Sequence, residues 1–301
     1  MSIASLLVDV LGPVVVIVAI GAFAGHRLDI DTGSLSKLAY WILGPAFMFD
    51  SLFDAELDGS LIAKLIAAAL VGMLVAGGAA WLAMAATGAD YGRRGAAALT
   101  SSYGNVGNAG LAICAFALGD DILPIASVLM LTINSAGLVF GVGIAAARTT
   151  TPIGAIARAL TAPMAVAAWL AIVANIAGMS LPLIAERPLT LVAGALIPVM
   201  LLTLGMQLVA TSLPAIDGAL TVSIASKLAV APLAAAAATA ALGVNGDPAA
   251  AVIIQSAMPP AVFCVLLALE HDFETERVTS AVVASTLVSI MTLPIVLVLT
   301  T

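Results

Sequence analysis

Apolar residues run in ten long blocks, near positions 5–25, 34–53, 61–86, 95–119, 122–147, 160–180, 188–210, 219–242, 249–269 and 277–300, each closed by charge, Gly, Pro or Asp. A helix needs roughly 20 apolar residues to cross a bilayer, so the pattern predicts an all-α polytopic membrane protein of about ten transmembrane helices. The connections are short: His26 to Asp31, Asp54 to Asp58, Asp90 to Arg94, Asp120-Asp121, Arg148 to Arg158, Asp217, Asn245 to Pro248, and Glu270 to Glu276. No stretch is long enough or polar enough for a separate soluble domain.

Composition agrees. Hydrophobic residues make up 62% of the chain and charged residues 9%, with a mean hydropathy of +1.20, far from the balance of a soluble domain. The net charge is −7 and no basic run exceeds Arg93-Arg94, which excludes nucleic acid as a partner. Cys114 and Cys264 both lie in apolar blocks, where they form neither a disulfide framework nor a metal motif and are expected to be small core residues. The segment before Asp9 lacks a basic n-region and runs straight into the first block, so an uncleaved first span is expected.

Ten spans place both termini on one side. With the N-terminus outside the cytoplasm, Arg27, Lys37, Arg93, Arg94, Arg148, Arg158, Lys227 and Arg277 fall inside, and Lys64 and Arg187 outside. Eight against two follows the positive-inside rule and predicts both termini outside the cytoplasm, in a plasma membrane.

The halves 1–147 and 148–301 carry an ordered series of correspondences: Pro13 with Pro163, Pro45 with Pro198, Lys64 with Lys227, and Cys114 with Cys264. Each half holds an odd number of spans. The second is therefore inverted relative to the first, a 5+5 arrangement found in many secondary transporters.

The fourth and ninth blocks are interrupted. The fourth reads Thr100-Ser-Ser-Tyr-Gly-Asn-Val-Gly-Asn-Ala-Gly110 and the ninth Gln255-Ser-Ala-Met-Pro-Pro-Ala261. Glycine costs roughly 1 kcal/mol relative to Ala in a helix interior, and proline about 3 kcal/mol. Both helices are expected to break near the bilayer midplane. Unsatisfied backbone is tolerated there only against protein or a wet cavity, and each second half-helix begins with free N–H groups and partial positive charge. Two such termini make an anion site that needs no Lys or Arg.

The predicted substrate residues are Asn105, Asn108, Gly104, Gly107, Gly110, Met258, Pro259 and Pro260, with Tyr103, Asn134, Gln255, Ser256 and Asp50 as supporting polar groups. The glycine spacing of three also suits close helix packing; the asparagines and the partner Pro-Pro favour a crossover site. Ala96 to Gly119 and Ala249 to Leu269 hold no charge, which disfavours a cation/proton antiporter. Asp9, Asp50, Glu270 and His271 are expected to solvate helix ends, and Asn134, Asn175 and Gln207 to bond between helices. No phosphate loop, zinc motif or nucleophile elbow occurs, and the two histidines, His26 and His271, are far apart in sequence. Neither catalysis, a metal nor a cofactor is expected.

Leu38-Ala-Tyr-Trp-Ile-Leu-Gly-Pro-Ala-Phe-Met-Phe49, Tyr103-Gly-Asn-Val-Gly-Asn-Ala-Gly-Leu111, Ile197-Pro-Val-Met-Leu-Leu-Thr-Leu-Gly-Met-Gln-Leu208 and Ala257-Met-Pro-Pro-Ala-Val262 resemble the auxin efflux carrier family, in the superfamily of bile-acid, arsenite and riboflavin transporters. The resemblance implies a scaffold of spans one, two, six and seven, a transport domain of spans three to five and eight to ten, elevator-type transport and a homodimer through the scaffold. It places the carboxylate-contacting asparagine at Asn105 and the second crossover prolines at Pro259 and Pro260. Where the family often has Gly-Leu-Pro, this chain has Gly110-Leu111-Ala112. The expected function is export of small organic anions, either auxin-like or dicarboxylate. The alternatives are a sodium-coupled importer, with Asn134, Gln255 and Ser256 holding Na⁺, or a membrane sensor without flux.

Overall fold

The computed structural model describes residues 6–56, 58–145, 152–209, 217–270 and 272–301. Arg148 and His271, both weighed above, lie outside the described residues, as do the first five positions. The described residues are helical, with no strand among them.

In chain order the helices are α1 (Gly12–Arg27), α2 (Thr32–Leu38), α3 (Gly44–Phe53), α4 (Gly59–Ala86), α5 (Tyr91–Ser102), α6 (Leu111–Leu118), α7 (Leu123–Ala145) and α8 (Pro152–Leu160). They continue as α9 (Pro163–Ile176), α10 (Leu183–Gly194), α11 (Leu196–Val209), α12 (Gly218–Ala225), α13 (Ala231–Ala241), α14 (Gly246–Ala257), α15 (Phe263–Glu270) and α16 (Thr275–Thr300). Six described helical stretches are long and apolar enough to cross a membrane: Val8–Arg27, Gly59–Ala86, Asp120–Ile144, Leu183–Leu208, Gly218–Ala241 and Thr275–Thr300.

Aspartates start several helices by accepting first-turn amides that have no intrahelical partner. Asp31 accepts from the amides of Gly33 and Ser34 at 3.0 and 3.1 Å and from the Ser34 hydroxyl at 2.7 Å. Asp58 accepts from the Ser60 amide at 3.0 Å, Asp90 from Arg93 at 2.9 Å, and Asp217 from Leu220 at 2.7 Å. Hydrogen bonds to the ionised form, from Ser34, Ser60 and the Arg93 amide respectively, hold the carboxyls of Asp31, Asp58 and Asp90 below their ordinary value.

Prolines shape the helix interiors. A wide π-type turn spans Leu6–Leu11, Ala39–Leu43 and Ser226–Val230, and Pro13, Pro45 and Pro232 each follow one of these turns by two residues. A proline has no N–H to give the preceding turn and its ring presses on the carbonyl four residues back. Widening that turn relieves both problems without ending the helix.

Packing falls into two groups of helices. In one, α1 lies along α11, while α9 and α10 pack on α3. Gly21 and Gly205 bring the α1 and α11 backbones into contact: a Cβ on Gly21 would strike the Leu202 carbonyl, and one on Gly205 the Val18 carbonyl. Asn175 donates its side-chain amide to the carbonyls of Phe53 at 2.5 Å and Ala55 at 3.2 Å, closing the end of α3 from α9. In the other group, α4 packs on α5, α7 and α13, and α16 packs on α12, α14 and α15.

Candidate functional site

Helix α5 ends at Ser102, Tyr103 is extended, and helix resumes with a wide turn at Val106–Gly110 leading into α6. Helix α14 ends at Ala257, Met258 is extended, and helix resumes at Phe263. The two non-helical segments pair antiparallel, Gly104 opposite Pro260. The Asn105 amide donates to the Pro259 carbonyl at 2.7 Å, and the Ala261 amide donates to the Tyr103 carbonyl at 2.9 Å. Each break thereby satisfies backbone groups of the other, as buried irregular chain requires. Pro260 has no amide to satisfy, which suits it to the middle of so short a pairing.

The three glycines of the first break face different surroundings rather than one packing stripe. A Cβ on Gly104 would come within 3.0 Å of the Lys227 ammonium nitrogen, one on Gly110 would run into the Gln255 side chain, and Gly107 faces Met130 and Met200.

A cavity of about 230 Å³ lies on one side of the crossing. Its floor is Tyr103, Gly104, Asn105, Val106, Gly107 and Asn108 from the first break and Ala261, Val262 and Phe263 from the second. Both places where helix restarts therefore reach the cavity wall. Opposite stand Met130, Asn134 and Leu138 of α7, and Met164, Met200, Thr203 and Gln207 from α9 and α11. Ser36, Tyr40, Ala159, Ala162 and Leu266 also line it. The lining is mainly apolar, its side-chain amides are neutral, and no charged residue is among the described residues that form it.

Among the residues expected at the site, Tyr103, Gly104, Asn105, Gly107, Asn108 and Asn134 line the cavity. Gly110, Met258, Pro259, Pro260, Gln255 and Ser256 do not; they sit behind it, where Met258, Gln255 and Ser256 are buried. Asp50 is elsewhere and accepts from the Thr190 hydroxyl at 2.8 Å, tying α3 to α10. Gln207, expected to bond between helices, reaches the cavity wall as Asn134 does.

One residue is corrected outright. The charge pattern predicts Lys227 among the basic residues at the cytoplasmic ends of spans; it is instead 2% exposed, in the wide turn Ser226–Val230. Removing it leaves seven against two in the charge count. Its ammonium donates to the Ser256 carbonyl at 3.0 Å, immediately behind Gly104. A site expected to lack any Lys therefore has one a single backbone's thickness from the cavity. A lysine at the centre of a spanning helix costs about 2.5–3.5 kcal/mol on insertion scales, so it is a functional position by default. The signal was present in the sequence: Lys227 is well inside the block 219–242, with no acidic residue in that block.

Interrupted helices that pair at their breaks, with helix restarting on a cavity, define a membrane carrier type of site. Residues 148–297 match the family model of the membrane transport proteins, a span that includes Lys227, Pro259 and Pro260 and leaves Asn105 outside. No curated protein matches the chain. The match and the apolar helices together support a multi-pass membrane protein of the transporter class.

Proposed function

We propose that the protein is a secondary carrier of small organic anions, with the carboxylate held at Asn105 and the two helix restarts and the rest of the molecule in the apolar part of the cavity. The observation that carries this reading is that Val106–Asn108 and Ala261–Phe263, the starts of two half-helices, meet at one cavity wall beside Asn105. Helix starts offer unpaired N–H donors and partial positive charge. Met130, Met164 and Met200 supply an adaptable apolar surface. A cavity of about 230 Å³ without a lining cation suits a monocarboxylate with an apolar body better than a dicarboxylate.

The ten apolar blocks, read as two inverted five-helix repeats, account for both breaks falling at corresponding places. The packing of α1, α3, α9, α10 and α11 on one another supports their assignment as a scaffold, with the remaining helices as the moving transport domain. Elevator-type motion then slides the crossing past α11, which touches the Val106–Gly110 turn. The scaffold exposes Trp169, Leu170 and Val173 on α9, a face suited to a homodimer as well as to lipid. The cavity wall includes Ser36, Ala159 and Leu266, at the end that carries Lys37 and the Arg158–Glu270 pair. With the termini outside, that end is cytoplasmic and the cavity is placed to load substrate for export across the plasma membrane.

The sodium-coupled reading is less well supported. Asn134 is on the cavity wall, whereas Gln255 and Ser256 are behind the crossing, where the Lys227 ammonium bonds the Ser256 carbonyl. A free cation there would face a fixed one.

The test is thermal unfolding of the purified protein with indole-3-acetate, malate and malonate, comparing wild type with Asn105→Ala. Stabilisation by indole-3-acetate that is lost in the variant is the expected result. If no acid stabilises the wild type while a neutral or cationic compound does so regardless of Asn105, the anion reading fails.

A further inference from the structure

Behind the crossing, on the side away from the cavity, the first half-helices α5 and α14 end, and helix ends carry partial negative charge on unpaired carbonyls. In membrane carriers such ends are where a cation is bound. The described residues hold a cation there already: the Lys227 ammonium, bonded to the Ser256 carbonyl in the last turn of α14 and pressed against Gly104 just past the end of α5.

Lys227 has no ion pair among the described residues. The helices packed on its turn are α4, α5, α12, α13, α14 and α16. Their charged side chains, Lys64, Arg93, Arg94, Asp247, Glu276 and Arg277, lie near helix starts, away from the buried turn. Cys264 is the titratable side chain facing it, and its thiol lies 3.8 Å from the Tyr103 carbonyl and 3.9 Å from that of Leu99. Nearby helices also bury side-chain oxygens without a partner, Ser256 Oγ and Ser285 Oγ, together with both polar atoms of Gln255. A buried ammonium without an anion is expensive, and the expense falls when an anion comes close. A cavity that can supply one is lined by Gly104, whose backbone separates it from the ammonium.

We propose that Lys227 is the cation of the crossing: its ammonium, carried on the chain, takes the place of a free metal cation behind the site and supplies the counter-charge for the organic anion, so that anion binding does not require Na⁺. The proposal rests on the organic-anion reading of the cavity for the counter-charge and on the crossing's own geometry for the cation. Binding of an anion to Asn105 and the helix restarts is strengthened by a positive charge one backbone away in a low-dielectric interior. The loaded site then carries compensated charge without recruiting an ion from solution.

Two measurements on the full-length protein test it. In the first, without any anion substrate, Lys227→Ala is unfolded thermally in sodium chloride, choline chloride and propylammonium chloride at equal ionic strength, with 1-propanol as a neutral control. The wild type is expected to unfold at one temperature in the three salts. The variant is expected to unfold lower and to recover in propylammonium but not in choline or propanol. Recovery in propanol equal to that in propylammonium, no recovery in either, or a wild type stabilised by sodium over choline would each overturn the cation assignment.

In the second, indole-3-acetate is titrated into wild type, Lys227→Arg and Lys227→Met in sodium and in choline. The methionine variant, which removes the charge while filling the space, is expected to stay folded and to bind about tenfold more weakly, within the usual range of a coupling between sites. The arginine variant keeps part of the affinity, and sodium makes no difference to wild type. Wild-type affinity in Lys227→Met, or binding to wild type only in sodium, overturns the counter-charge role. If indole-3-acetate does not bind wild type at all, the substrate class and the counter-charge role fall together, while the propylammonium result still decides whether Lys227 is the crossing's cation.

Discussion

The main-chain amide of Asn105 donates to the carbonyl of Pro259 over 2.7 Å. That bond fixes the asparagine whose side chain is proposed to meet substrate directly onto the proline segment of the other interrupted helix. With its companion, from the Ala261 amide to the Tyr103 carbonyl at 2.9 Å, it makes the floor of the cavity one unit built from both halves of the chain. A substrate bound at Asn105 as proposed would touch a floor shared by both interrupted helices.

Ala261→Pro tests that unit. It deletes the Ala261 amide and leaves the Tyr103 carbonyl, 4% exposed as a residue, with only the weak thiol donor of Cys264 at 3.8 Å. Loss of a buried backbone hydrogen bond costs about 0.5–1.5 kcal/mol. The variant is expected to unfold several degrees lower and to lose its response to indole-3-acetate, read in the same thermal unfolding series. An unchanged unfolding temperature would mean the pairing contributes nothing to the fold.

A second expectation concerns the contact of α1 with α11. Because a Cβ on Gly205 would strike the Val18 carbonyl, and backbone cannot yield as a side-chain tip does, Gly205→Val must push the two helices apart. Overpacking of this kind costs about 1–3 kcal/mol or more. Lower yield and earlier thermal unfolding are expected, whereas Gly194→Val, at a position with open space around it, is expected to cost far less.

The crossing was legible in the sequence because helix breaking is local chemistry. Glycines beside asparagines, and Pro259-Pro260, disfavour helix wherever they stand. The cavity wall was legible for the same reason as far as Asn105 and Asn108, which belong to the break itself. Asn134 was readable as a supporting polar group of the site and Gln207 only as a polar residue within an apolar block, since which neighbour a helix face meets is a tertiary matter. Lys227 was misplaced for a definite cause: counting basic residues by side assumes that each lies at a helix end. Its burial depends on the turn ahead of Pro232 and on helices far away in sequence.

Acid is expected to weaken the helix starts. The carboxyls of Asp31, Asp58 and Asp90 titrate below their ordinary value of 3.8 when folded because their ionised forms accept hydrogen bonds. Folded values below unfolded ones mean that the stabilisation is present above the unfolded value and is lost as pH falls through the folded one. The unfolding temperature should therefore hold steady through neutral pH and drop below about pH 4. A variant with Asn at all three positions keeps neutral caps and is expected to show a shallower drop, measured by scanning fluorimetry from neutral to acid. An equally steep drop would place the acid-sensitive groups elsewhere.

Gly104 is where the proposed substrate floor and the buried lysine meet. A Cβ there would stand 3.0 Å from Lys227 Nζ and 3.4 Å from its Cε, so Gly104→Ala requires the ammonium that bonds the Ser256 carbonyl at 3.0 Å to give by a few tenths of an ångström. Little room exists for that shift, since Lys227 is 2% exposed. The alanine variant is expected to weaken indole-3-acetate binding in the wild-type background and to have a smaller effect in Lys227→Met, whose side chain lacks the ammonium. The resulting coupling energy in a double-mutant cycle should lie within about 0.5–3 kcal/mol, the range for residues in contact. Strict additivity would show that Gly104 is needed for the backbone pairing with Pro260 alone and that the lysine behind it does not report to the cavity.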